Sequence, residues 1–497
     1  MGKQAEYQRL IDAEPQDMSN GVSNDQLTQI LLARERRRHR ARRVFRFVLF
    51  IVLPVLFFFS FFGKTGPGFG PGCHHSPNAT DAEDAFRQTP DENCGNDFHK
   101  IHDGTYPLQF SSDHTVQFVQ QQGRNRRGGH RNGSPNVSGH VRVVQSSSSK
   151  GKIDLRIDVN NDDVPVHTHW NPETQRLYVN VEHVYDEGGW PRPCVDIQAT
   201  IYVPADAELK VLKVEVSSLA VDVGKSLGVA IDETILTTVA GHIKFGTGAI
   251  KEGSRLSLTS ISGNIHAEAP LLEKVDSFTT SGTNHVNVWP PAKWRDFDTA
   301  SLNVHSISGN VRALDPLDEG AHVPAADYIR KVSTVSGNVD AALFFSSRVE
   351  VSGQPSGDLD VSLLPLLSGG LSGDDDDEVR SKLETNSVSG NAKLQVLEPA
   401  WIGESGKKKK WTLVSSHAAV SGNIEIHLPD AWEGGFSTRS LTGRIDICGK
   451  DVQLGTMEEK EADAEVMRAI RGHKGDGNSK LDVHTTTGNI KLIIGKE

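Results

Sequence analysis

At 497 residues the chain is long enough for two or three domains, yet 47 Gly, 36 % hydrophobic and 6 % aromatic residues favour short strands and frequent turns over large helical cores. The net charge of -11 is uneven: residues 1–62 carry ten Lys or Arg against six Asp or Glu, which leaves -15 on the remainder. An acidic main body excludes nucleic acid as its partner, because phosphate binding needs a basic face.

Residues 1–43 read as a polar cytoplasmic tail that ends in the basic run RERRRHRARR at 34–43. Val44 to Phe62, VFRFVLFIVLPVLFFFSFF, predicts one transmembrane helix of roughly 28 Å, just enough to cross a bilayer. Arg46 sits near its cytoplasmic end and can snorkel. Beyond the span only Lys64 precedes Arg87, so the positive-inside rule places the N-terminus in the cytoplasm and the rest in a lumen or outside, in the secretory pathway or at the cell surface. Sequons at Asn78, Asn132 and Asn136 all fall on that far side, where they can be glycosylated.

Residues 63–136 predict a flexible, glycosylated stalk, with GKTGPGFGPG near its start and QQQGRNRRGGHRNGS as its least ordered part. Four cysteines are present; the favoured disulfide joins Cys73 to Cys94, 21 positions apart in the stalk, and leaves Cys194 and Cys448 as buried, unpaired thiols. Residues 137–497 predict one all-β domain. It opens on VSGHVRVV, GKIDLRIDV, QRLYVNVEHVY and CVDIQATIYVP, each alternating apolar and polar residues. His167 and His169, with His183 downstream, alternate on one strand face, but no Cys or carboxylate spacing supports a metal there, and no cofactor is expected.

The chain then repeats itself. Corners of the type Ser-Gly-Asn recur around Gly241, Gly263, Gly282, Gly309, Gly337, Gly357, Gly390, Gly422, Gly443 and Gly488, with a basic spacing of about twenty residues and longer steps where insertions enter. This predicts a parallel β-helix, or β-solenoid, of about twenty-residue coils. Gly permits the positive φ of a sharp corner, and short Ser and Asn side chains can satisfy the corner's backbone. Stacking would align Ser262, Ser308, Ser336, Ser389 and Ser421 in one ladder and Asn264, Asn310, Asn338, Asn391 and Asn423 beside it. The segment EEKEADAEVMRAI before the last coil reads as helical.

Residues from about 137 to 495, above all IQATIYVPADAELKVLKVEVSSLAVDV followed by the reiterated SGN corners, resemble the putative-adhesin domain family, in a membrane-anchored version of the fungal type. The resemblance implies a β-helical repeat fold and adhesion; it supplies no catalytic residues.

Insertions such as WPPAKWRDF, DPLDEGAHVPAAD, LLPLLSGGLSGDDDDE, LEPAWIGESGKKKK and LPDAWEGG each follow the strand that leaves a corner, so they should emerge along one edge. Trp289, Trp294, Trp401, Trp411 and Trp432 on that edge are the candidate ligand face, aromatic plates suited to a sugar ring or a protein partner. The same tryptophans could instead pin the loops down. Asp374–Asp377 and Lys407–Lys410 read as solvated tips. The leading expectation is a non-enzymatic, membrane-tethered adhesion, binding or scaffold module. The alternative is a carbohydrate-active enzyme on a β-helix, for which Asp340, Asp358, Asp360 and Asp446 are scattered rather than paired.

Overall fold

Each repeat lays down one strand in each of two sheets, because its apolar residues alternate at period two on both sides of the corner. In Thr299–Ser308 the even-numbered Ala300, Leu302, Val304 and Ser306 are buried, while Ser301, Asn303 and His305 face outward. The computed structural model describes residues 94, 97–123, 135–182, 193–289, 298–317, 323, 324, 326–368, 378–402, 410–455, 458–462 and 465–495. All of these fall in the second of two units into which the chain divides, Ala79–Glu497. The tail, the span at 44–62, Cys73, Asn78, Asn132, His183 and Trp294 lie outside the described residues. Among the described residues there is no α-helix, and none long and apolar enough to cross a membrane.

Sheet A has 16 strands. Its central run pairs Ala220–Val223, Ile243–Phe245, Ile265–Pro270, Asn284–Trp289, Val311–Leu314, Val339–Phe345, Leu359–Ser368, Ala392–Val396 and Ile424–Leu428, all parallel. Sheet B runs alongside through Glu208–Val216, Val229–Thr238, Arg255–Ser260, Lys274–Ser281, Thr299–Ser308, Asp327–Ser336, Arg348–Ser356, Glu378–Ser389 and Lys410–Ser421, also parallel. The inward side chains of both sheets form a single Val-, Ile- and Leu-rich core. Burying each such side chain is worth about 1.5–3 kcal/mol, so the repeats hold one another rather than standing alone.

The repeats are not stacked in sequence order at either end. The last pair of strands, Ser479–Thr487 and Ile490–Ile494, lies between Lys410–Ser421 with Ile424–Leu428 on one side and Gly434–Ser440 with Ile445–Gly449 on the other. Ser111–Gln122 likewise sits between Arg176–Val181 and Glu208–Val216, and Asn136–Ser146 between Cys194–Pro204 and Ala220–Val223. Antiparallel strands close the ends: His99–Leu108 and Gly151–Val159 continue sheet A, Val166–Asn171 continues sheet B, and Glu465–Lys474 closes sheet B at the far end.

Three expectations need correcting. Residues 97–123 are not stalk: His99–Leu108 and Ser111–Gln122 are sheet strands, and Val116 and Phe118 are fully buried. Gln-rich polarity hid that alternation. EEKEADAEVMRAI is not helical either; Glu458–Ala462 pairs antiparallel with Glu465–Lys474. The edge strand Gly434–Ser440 needs a ladder partner, and that demand outweighs the segment's helix propensity. Finally, Cys94 pairs with Cys194 rather than Cys73. Asn160 brings the two together, its amide donating to the Cys94 carbonyl at 2.8 Å while its oxygen accepts from the Cys194 N–H at 2.6 Å.

Candidate functional site

The two sheets meet along two edges of different character. One carries the corners, where each sheet B strand turns into sheet A. The other is where five insertions of the central and later repeats, at 290–298, 315–326, 369–377, 397–409 and 429–433, each join a sheet A strand to the next sheet B strand, whereas the long connections 123–135 and 182–193 run from sheet B to sheet A.

The corner edge is a set of hydrogen-bonded columns. At all but the Gly282 and Gly443 corners, where Thr283 and Arg444 follow, the residue after the glycine accepts the backbone N–H of its counterpart in the neighbouring repeat: His242 from Asn264, Asn264 from Thr283, Asn310 from Asn338, Asn338 from Asp358, Asp358 from Asn391, Asn391 from Asn423, Asn423 from Asn489, and Asn489 from Arg444, at 2.8–3.3 Å. The Asn column thus satisfies backbone donors. Ser262, in the column before the glycines, donates to the Val239 carbonyl at 3.0 Å. A third column was missed in the sequence: a buried hydroxyl three residues before the glycine. Thr238 and Ser260 each accept their own corner's glycine N–H at 2.9 Å and donate to the carbonyl of the preceding repeat at 3.2 Å. Its signal, Ser or Thr at a fixed offset from Gly, was present in most corners.

The glycines are required mainly by closeness. A Cβ on Gly263 would stand 1.8 Å from the Gly241 carbonyl oxygen, and Gly263 has no positive φ. At Gly422 both constraints act, with φ +138 and the Gly390 oxygen at 2.0 Å. The positive φ expected at every corner is therefore present at only some of them.

On the insertion edge the structure divides the candidate tryptophans. Trp411 is 9 % exposed and Trp432 is fully enclosed, so both belong to the core and leave the ligand face. Trp289 is half-buried and donates its indole N–H to the Glu268 carbonyl at 3.1 Å. Trp401 is 37 % exposed, on Ala400–Ile402, a short strand that extends the edge by pairing with the end of Leu359–Ser368. Four strand steps, roughly 19 Å, separate these two aromatic surfaces.

Beneath the insertion at 315–326 lies a fully buried ion pair, in which Arg330 Nε donates to Asp315 Oδ2 at 2.7 Å. Asp315 Oδ2 also accepts the Phe344 N–H, and the guanidinium packs on the Phe344 ring with 4.6 Å to its centroid. Burial pushes the Asp315 carboxyl above the usual carboxylate range, with Arg330 opposing. Asp315 Oδ1 and Arg330 Nη2 have no hydrogen-bond partner among the described residues. The pair is sealed from solvent and anchors the base of the insertion.

The remaining candidates disperse. Asp340 and Asp360 are register neighbours on the open outer face of sheet A, and Asp340 is paired with Arg312 at 3.1 Å. Asp358 sits in the corner ladder, and Asp446 is 3.7 Å from Arg444. His167 and His169 are both exposed, with His167 3.5 Å from Glu182. Among the described residues no cluster of His, Cys, Asp or Glu has metal-binding geometry. Asn136 begins a strand, and its amide donates to Cys94 Sγ at 3.7 Å. Cys448 is half-buried on Ile445–Gly449, far along the sheet from Cys194.

No family profile matches the chain, and no curated protein is similar to it. Among solved structures, one described as a putative cell adhesion protein from Clostridium sporogenes is similar at 6 % identity, covering 79 % of this chain and 98 % of that chain, with a TM-score of 0.13. A superposition that loose carries no argument about shared geometry.

Proposed function

We propose that this chain is a membrane-anchored β-solenoid whose extracytoplasmic body is a non-catalytic adhesion or binding module. The observation that carries the reading is the division of labour between its edges. From Gly241 to Gly488 the corner edge holds the stack, and the opposite edge gathers the five insertions of these repeats and presents Trp401. Repeat stacks grow such loops along one side because only there does added length leave the core undisturbed. The span at 44–62 would tether the body, and a neutral sugar ring or an apolar protein anchor is the ligand chemistry that suits Trp401 with Trp289.

The test is expression of the full chain in a host cell that does not aggregate. Cell aggregation and attachment to glycan-coated and protein-coated surfaces are then measured for the wild type and for Trp401→Ala. Adhesion gained with the wild type and weakened by the substitution supports the reading; no adhesion to any surface, with the protein present on the cells, overturns it. A glycosidase mobility shift on the same cells checks the topology, since three unmodified sequons together with a C-terminus accessible from the cytosol would place the body on the cytoplasmic side.

A further inference from the structure

The corner edge carries a second surface beside the hydrogen-bonded columns, and within it His305 Nδ1 is 2.7 Å from the buried Ser333 Oγ. In parallel register on the outer face of sheet B run Thr237, Thr259, Phe278 and His305, then Ser333, Ser352, Asn386, Ala418 and His484. From this column round to the residue after the glycine, the nine corner windows from Thr237–His242 to His484–Asn489 contain one charged residue, Asp358, in a chain that is 24 % charged. That carboxylate is engaged by the Asn391 N–H. Two to four residues earlier along the sheet B strands the same faces carry ion pairs such as Lys331–Glu350 and Lys382–Glu384, so stacked strands tolerate charge when it is paired. The run ends at the next corner, where the matching window holds Arg439 and Arg444, paired with Asp482 and Asp446.

The band is also apolar where it could have been polar. Val239, Ile261 and Val420, three of the seven exposed large hydrophobics among the described residues, occupy the position two before the corner glycine and are 45 %, 44 % and 52 % exposed. Thr, Ile or Val fills that position in most other windows. Beside it Phe278 stacks on His305 with ring centroids 5.4 Å apart. Depletion of charge combined with exposed aliphatic and aromatic groups is the composition of an interface centre.

We infer that this band is a self-association surface and that its occupant is the same band of a second copy of the chain. Three arguments select the second copy. An uncharged face disfavours a charged partner, which would lose hydration without gaining a counter-charge. The band repeats at about 4.8 Å, and a surface of the same period meets every repeat at once. Eight such steps by a width of about 15 Å give roughly 600 Å² per copy, at the lower end for a specific complex. Pairing is therefore weak for two isolated molecules and strong for many copies arrayed on opposed surfaces. The inference deepens the adhesive reading by naming its partner, while the pairing itself does not require the membrane anchor.

The test uses the full chain in detergent micelles, followed by sedimentation over a range of concentrations. The wild type is expected to show concentration-dependent dimers. Ile261→Lys combined with Val420→Lys, at exposed positions, is expected to weaken dimerisation at least tenfold with unchanged far-ultraviolet circular dichroism. Ser308→Lys with Ser336→Lys, on the neighbouring exposed column, repeats the test if the first variant misfolds. A wild type that stays monomeric at every concentration, or charge variants that pair as well as the wild type, overturns the inference. Mixing expressing with non-expressing cells separates the two proposals. Adhesion of expressing cells to non-expressing cells, undiminished by the charge variants, leaves the adhesive reading standing and removes self-pairing. Dimers in solution without any cell adhesion do the reverse.

Discussion

A corner glycine, a hydroxyl three residues earlier and a side-chain carbonyl one residue later form the smallest unit of this molecule, and each answers a different demand of the backbone. Replacing Gly422 by Ala forces a Cβ to within 2.0 Å of the Gly390 oxygen at φ +138. The expected cost is about 1–3 kcal/mol in chemical denaturation. Gly435→Ala, whose Cβ meets nothing nearer than 3.9 Å, is expected to change the midpoint little. The glycines and the Asn column were legible because they are adjacent and the glycine is present at every corner, with Asn following it at most of them; the hydroxyl column was not, because Ser and Thr are frequent throughout the chain. His417 adds a pH dependence. It is fully buried, its Nδ1 is 2.7 Å from Thr385 Oγ1, and burial pushes its pKa down to about 3. His242, His266, His285 and His305 are also lowered by burial. A folded-state pKa below the unfolded value of about 6.5 has no effect on stability above that pH. Stability is lost as pH falls from there towards about 3, where His417 also takes up its proton in the folded state. Denaturation midpoints should therefore fall steadily below pH 6.5, and His417→Gln should remove about 1.4 kcal/mol per pH unit from that slope.

At the level of strands and loops, the insertions divide into parts that build the stack and parts that face outward. Trp432→Ala is expected to destabilise by about 3–5 kcal/mol, as the loss of a fully buried aromatic does. Trp401→Ala should leave the denaturation midpoint nearly unchanged and alter only binding. Comparing both variants in one denaturation series checks the division. Asp315→Ala leaves Arg330 charged and unpaired in the core, and a loss of about 3–5 kcal/mol is expected, measured the same way. The sequence placed the five insertions after Gly282, Gly309, Gly357, Gly390 and Gly422 on one edge, because a loop's position relative to the corner is a matter of counting. It did not separate Trp401 from Trp432, because enclosure depends on what the neighbouring repeats put over the ring. The antiparallel hairpin at Glu458–Lys474 was illegible for a related reason: its partner strand, Gly434–Ser440, is chosen by the vacancy at the sheet edge and not by local propensity.

For the whole molecule, the twenty-residue period predicted stacked β coils, the structure adds that their strands form two long sheets, and the pairing at the ends depends on contacts that no period encodes. The Cys94–Cys194 disulfide spans a sequence separation of 100 and ties the first described residue to the strand Cys194–Pro204. Cys94→Ser with Cys194→Ser is expected to cost about 2–5 kcal/mol. Limited proteolysis should then attack residues 97–181 before the central repeats. An unchanged midpoint and unchanged cleavage order would show that the end repeats hold without it.

The displaced final repeat governs how the polypeptide matures as it is made. Gly434–Ser440 has both of its sheet neighbours, Glu465–Lys474 and Ser479–Thr487, encoded after it. When it leaves the ribosome it has nothing to pair with, and at about 5–20 residues per second several seconds pass before the chain through Ile494 has been synthesised. Glu208 to Leu428 can zip up in the order of synthesis, but the far end closes only once Ser479–Ile494 has been made. For that interval Lys410–Ser421 offers an open parallel edge, so Ser479–Thr487 acts as a built-in plug against capture by another nascent chain.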